Sequence, residues 1–178
     1  MNSQNDTHIL HKQVSNQELL TFYYFQVTEL WKKFCEEHME LFNLTMDEYS
    51  FLLASDLENI EMKLEEKNAT IQRIQHLESV RQELINELRD HFPELQIESV
   101  KSLVELMSNY KIEHNEKHLF RFNALLIDLI EKIQLQNKRN QLFINKALIS
   151  LKEIRHEVMG LKKFSTYSAR GAAINKTT

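Results

Sequence analysis

The sequence predicts an all-α protein: an elongated antiparallel helical bundle or coiled-coil hairpin of two to three long helices, with a short helix after Pro93 and a flexible C-terminal tail. Three observations lead there. The 178 residues hold two glycines, Gly160 and Gly171, and one proline, Pro93. Strands joined by tight turns need Gly, Pro, Asn and Asp at special backbone angles, and phosphate-cradling loops need glycine against the ligand. With no glycine before Gly160, β-rich folds and Gly-loop nucleotide sites are nearly excluded. Second, hydrophobic residues are 42% of the chain and recur at spacings of three and four, the period of a helix face. Third, no apolar run approaches the ~18 residues of a membrane span.

Taken in order, residues 1–15 are polar and without periodicity, and read as a disordered N-terminus. A helix pattern begins near Asn16 and continues through Leu19 or Leu20, Tyr23, Val27, Leu30, Phe34 and Leu41, with Trp31 widening the stripe. Asn43 and Thr45 could break or kink it; Thr45 with Glu48 reads as a capping box opening a short helix over 45–54. Ser55 with Glu58 is a second capping box, ahead of a strong stripe at Leu57, Ile60, Leu64, Ile71, Ile74, Leu77, Leu84 and Leu88. That helix should run from about 56 to 91, roughly 54 Å at 1.5 Å per residue. Pro93 ends it, since the residue before a proline avoids helical angles.

Ile97, Val100, Leu103, Val104, Met107 and Tyr110 form a short amphipathic pattern, followed by the polar segment Lys111–Lys117. A last long helix takes Leu119, Phe122, Leu126, Leu129, Ile130, Ile133, Ile144, Leu148, Leu151, Ile154 and Val158, and should stop near Gly160, a C-cap residue type. Residues 16–163 thus read as one helical-bundle domain and 164–178 as a flexible tail. No repeat of solenoid period is present.

Charge and cysteine content narrow the function. The net charge is −4, with a pI near 6.1, so the chain lacks the clustered basic residues that draw a protein to nucleic acid. One cysteine, Cys35, cannot form an internal disulfide and fits a reducing compartment. The N-terminus lacks the apolar segment of a signal peptide. A cytoplasmic protein without membrane insertion is the expectation.

Few residues suggest chemistry. His114 and His118 lie one turn apart, but a zinc protease needs Glu directly after the first His, and here the acid is Glu116. Glu153-x-x-His156 resembles half of a di-iron site, which needs a second such unit and two further glutamates. Cys35 has Lys32, Lys33 and His38 nearby on its helix, which could lower its pKa; without an orienting base, an inert, partly buried thiol is the better reading. Lys67 and Arg81 both occupy stripe positions. Their stems could pack on a partner helix while the charges reach water or a Glu, or each could set register with an acid on the opposing helix.

The last helix is more informative. Asn137 and Asn140 interrupt its stripe, either as a buried polar layer that selects one pairing or as amides that hold a partner's backbone. Beyond them, Phe143, Ile144, Leu148, Ile149, Leu151, Ile154, Val158, Met159 and Leu161 cover more than one narrow seam. A helix apolar over so wide an arc has more to bury than one partner covers. Its surplus suits a second amphipathic helix in a groove, or self-association as a homodimer.

Three local patterns stand in a fixed order. The first is Leu52-Leu53-Ala54-Ser55-Asp56-Leu57 leading to Leu64-x-x-Lys67 and Leu77-x-x-x-Arg81-x-x-Leu84. The second is Asn137-x-x-Asn140-x-Leu142 with its apolar half-helix. The third is Thr166-Tyr167-Ser168-Ala169-Arg170-Gly171, a Tyr-x-x-x-Gly tail. Together they resemble the FlgN family of flagellar export chaperones over about residues 17–171. Gln136 stands where that family usually has Leu, and the first helix is unusually aromatic.

The resemblance implies a cytoplasmic type III export chaperone with no catalysis and no cofactor. Its clients would be the C-terminal amphipathic helices of hook-associated (hook–filament junction) proteins, kept from premature assembly and delivered to the export gate. By analogy the client-binding residues would be Asn137, Asn140, Phe143, Ile144, Leu148, Leu151, Ile154, Val158 and Leu161. Tyr167 would dock on the gate's cytoplasmic domain. From the residues alone, a structural coiled-coil adaptor or self-assembling scaffold stays open, as does an all-α metalloenzyme suggested by the eight histidines.

Overall fold

The computed structural model describes the backbone of residues 3–94, 97–109 and 118–161, with side chains from 16 to 107 and from 118 to 159 inside those ranges. Four helices make up the described chain: α1 (Ser3–Ala54), α2 (Leu57–His91), α3 (Val100–Asn109) and α4 (His118–Leu161). No strand occurs among the described residues, and the fold is an all-α bundle.

α1 differs from the sequence expectation at both ends of its pattern. Helical backbone is present from Ser3, ahead of the periodicity that starts near Asn16. The expected break at Asn43–Thr45, with a separate helix over 45–54, does not occur, and α1 runs unbroken to Ala54. The reason lies in Thr45. Its side chain is fully buried, and its hydroxyl donates to the Leu41 carbonyl at 2.7 Å, one turn back in the same helix. A threonine so bonded sits inside a helix instead of capping a new one.

The corner after α1 is two residues long. Ser55 adopts φ 56°, the left-handed region. Ser55 N–H donates to Leu52 O at 3.2 Å and Asp56 N–H to Phe51 O at 3.0 Å, the paired bonds of a Schellman ending. Asp56 then caps α2 by accepting from Asn59 N at 3.2 Å. The capping box expected from Ser55 and Glu58 is thus displaced by one residue: Ser55 closes α1 and Asp56 opens α2.

α1 and α2 form an antiparallel hairpin. Lys67 pairs with Glu48 at 2.7 Å, Arg73 with Glu37 at 2.8 Å, and Tyr23 Oη lies 3.1 Å from His91 Nδ1. Each successive pair lies farther from the corner on both helices. The core gathers at the end away from the corner. Tyr23, Tyr24, Val27, Trp31 and Phe34 of α1 meet Leu84, Ile85 and Leu88 of α2 there, and Phe92 joins them past the helix end. Each such side chain contributes about 1.5–3 kcal/mol on burial. Of the aromatic residues that make α1 unusual, Tyr23, Tyr24, Trp31 and Phe34 are therefore at the centre of the core, while Phe22 and Phe25 are exposed.

Pro93 does end α2, at His91. Arg89 then fastens the chain beyond it, its Nε donating to the Ile97 carbonyl at 3.0 Å. α3 opens with a serine pair: Ser102 N–H donates to Ser99 Oγ at 3.1 Å and Ser99 N–H to Ser102 Oγ at 2.9 Å. This is a reciprocal cap with serine in the place of the usual glutamate. Leu103, Val104 and Met107 bring α3 into the core, and Leu119 does the same for the start of α4. Trp31 Nε1–H donates to Asn123 Oδ1 at 3.2 Å, which ties α1 to the first part of α4.

The chain divides into two compact units, Met1–Gln136 and Asn137–Thr178. α1, α2, α3 and the first part of α4 belong to the first; the rest of α4 belongs to the second.

Candidate functional site

In the second unit, α4 runs from Asn137 to Leu161 without a Pro or a cap before its end. Leu148, Leu151, Ile154, Val158 and Met159 are between 50% and 62% exposed. At 100° per residue they fall on one face about 140° wide. A helix in water normally turns such a stripe inward. Here it is uncovered, and the surplus apolar surface expected from the sequence is present.

The other expected site residues are placed as follows. Phe143 and Ile144 are half-buried, and Asn140 is 2% exposed. Asn137 is exposed, so the two asparagines differ in burial although they are three residues apart. Gln136, buried at 4%, lies four residues before Asn140, and this i, i+4 spacing is the polar step on the buried side. Leu161 is the last helical residue. Tyr167, with the whole tail signature, lies outside the described residues. Two apolar residues, Leu142 and Ile149, are also exposed, at 52% and 56%, and point away from the main face.

The remaining candidates for chemistry are structural. Cys35 is buried, its Sγ–H donates to the Phe122 carbonyl at 3.2 Å, and burial, with Glu36 adding to it, pushes the thiol up to about 11. It is a protonated packing residue at neutral pH; the lysines beside it in sequence do not offset its burial. Glu153 and His156 are both exposed, and His114 lies outside the described residues. Among the described residues no group of three or more His, Cys, Asp or Glu could hold a metal ion, and no helix is long and apolar enough to cross a membrane. Lys67 meets an acid on the opposing helix, whereas Arg81 pairs with Glu78 on its own. The register reading holds for the first and the packing reading for the second.

The family comparison decides the class. The sequence model of the FlgN protein family matches residues 23–174. The chain belongs to the FlgN family. That range takes in the uncovered half of α4 and the tail tyrosine, so the resemblance noted over 17–171 extends across nearly the whole bundle. FlgN-family membership makes the chain a flagellar export chaperone in general, a class of binding proteins and not of enzymes. No curated protein and no solved structure matches the chain.

Proposed function

We propose that this FlgN-family chain binds the C-terminal amphipathic helices of hook-associated proteins in the cytoplasm and delivers them to the export gate. The observation that supports this is the apolar face of α4 at Leu148, Leu151, Ile154 and Val158, uncovered in a member of a chaperone family. An amphipathic client helix released before assembly has one apolar stripe and no partner. Laid along this face, it buries its stripe and covers that of the chaperone. At about 25 cal/mol per Å² of apolar area, a few hundred Å² gives a useful gross gain before the cost of ordering the helix. Asn137, Phe143, Ile144 and Leu161 extend the same contact, Asn140, buried at 2% exposure, supports it from beneath, and Tyr167 serves docking at the gate's cytoplasmic domain. The task needs no cofactor.

The test is light-scattering chromatography of the chain mixed with C-terminal segments of its own genome's hook-associated proteins. A complex of defined stoichiometry is expected. Leu148→Asp and Ile154→Asp should abolish it while the protein stays helical, because both positions are more than half exposed. Normal binding by those folded variants would refute the site. Tyr167→Ala should spare client binding and reduce motility; full motility would refute the docking role.

A further inference from the structure

The first unit contains a groove that no segment of the described chain fills. Trp31 and Phe34 of α1 form its floor; Ile74 of α2 stands on one side, and Leu126, Ile127 and Ile130 of α4 on the other. Its volume is about 770 Å³, within the ~300–1,000 Å³ of ordinary binding clefts. On α1, α2 and α4 the lining runs from one residue to the residue seven further on, Trp31 to His38, Ile74 to Arg81 and Asn123 to Ile130, and Val100 and Lys101 at the start of α3 complete it. Seven residues are about 10 Å, or two helical turns. Three helix segments, with the first residues of α3 beside them, leave an open place for one short helix face.

The same chain presents a helix face of matching length. Leu151, Ile154 and Val158 follow the i, i+3, i+7 pattern by which a helix fills such a groove, and all three are at least half exposed. We propose that the groove of one copy receives the Leu151–Val158 face of a second copy, and that the exchange is reciprocal, giving a two-fold dimer.

The area argues for reciprocity. A fully buried aliphatic side chain removes roughly 100 Å² of apolar surface from water. Three half-exposed side chains, with a similar area from the groove, then cover about 350 Å² per insertion, or ~600 Å² in all for an interface about 60% apolar. Stable interfaces cover roughly 1,200–2,000 Å². One insertion falls well short of that range, and two come to its lower edge. Because the face is also the proposed client surface, dimerisation and client binding would exclude one another. The dimer itself does not depend on the client reading.

Sedimentation of the full chain over a concentration series tests this. The wild type should pass from monomer to dimer, with a shift in the emission of its single tryptophan, Trp31. Ile127→Asp in the groove and Leu151→Asp on the helix alter exposed positions, and each should weaken the dimer by about tenfold or more. An equimolar mixture of the two variants should associate more tightly than either variant alone, though less tightly than the wild type, since one of the two insertions stays intact in the mixed pair. A wild type that stays monomeric throughout overturns the proposal. So does wild-type dimerisation by Ile127→Asp, which would mean helix-to-helix pairing, or a mixture that associates no more tightly than either variant alone. A dimer that no client segment displaces leaves this interface standing and counts against the client reading alone.

Discussion

Ser55→Gly should make the protein more stable, although it removes a side chain. Ser55 holds φ 56° as the left-handed residue of a Schellman ending. A non-glycine residue in that region costs about 1–2 kcal/mol, because Cβ crowds the following carbonyl. Glycine removes the crowding but gives up more backbone freedom on folding, roughly 0.5–1 kcal/mol. The balance is a gain of about 0.5–1 kcal/mol, which at this chain length raises Tm by about 1–4 °C. Ser55→Ala keeps the Cβ and should leave stability nearly unchanged. Asp56→Ala, one residue on, should cost about 1 kcal/mol through the lost α2 cap. Urea unfolding followed by circular dichroism at 222 nm reads all three, with unchanged slopes showing that the surface exposed on unfolding is the same. If Ser55→Gly is no more stable than the wild type while Asp56→Ala behaves as stated, the left-handed assignment at Ser55 is wrong.

Two further predictions concern charge and protonation. Lys67 and Glu48 lie 2.7 Å apart with side chains 14% and 12% exposed, so removing either alone should cost about 2–3 kcal/mol, between the values for surface and fully buried pairs. Lys67→Met with Glu48→Leu should recover most of that loss in a double-mutant cycle, and additive losses would refute the coupling. Cys35, pushed up to about 11 by burial, favours the folded state as a thiol. Its contribution is complete below the unfolded value of ~8.5 and is lost as pH rises towards the folded value. Alkylation of the native protein should accordingly be slow at pH 7 and accelerate up to about pH 11; rapid labelling at pH 7 without unfolding would contradict this.

The elements legible from the sequence were those whose signals are local. α2 came out within a residue at both ends, because a polar cluster and Pro93 bracket a stripe interrupted only at Lys67 and Arg81. Ser55 and Asp56 are both good capping residues, and only the sign of the Ser55 φ angle decides which one closes and which one opens a helix. Thr45 looked like a cap for the same reason: its hydroxyl serves an N-terminus or the carbonyl one turn back, and burial selects the second. Lys67 and Arg81 are alike in stripe position but differ in partner, which depends on what the hairpin places opposite them. The docking of α3 into the core depends on Leu103, Val104 and Met107 meeting side chains distant in sequence. In the candidate site, the surplus apolar face of α4 was legible because it exceeds what one neighbour covers. The polar step was read as Asn137 with Asn140, but burial selects Gln136 and Asn140.

The uneven placing of the core along the α1–α2 hairpin bears on how the molecule opens. Around the two-residue corner, Leu53, Leu57 and Leu64 are exposed, while the large buried side chains crowd the opposite end. Backbone amides near the corner should therefore exchange with solvent through local openings of low free energy. Those around Val27, Trp31 and Leu88 should exchange only when the first unit unfolds as a whole. A deuterium-exchange profile along α1 would then rise in protection from Ala54 back towards Trp31 within one continuous helix, a gradient in opening free energy with no break in the backbone.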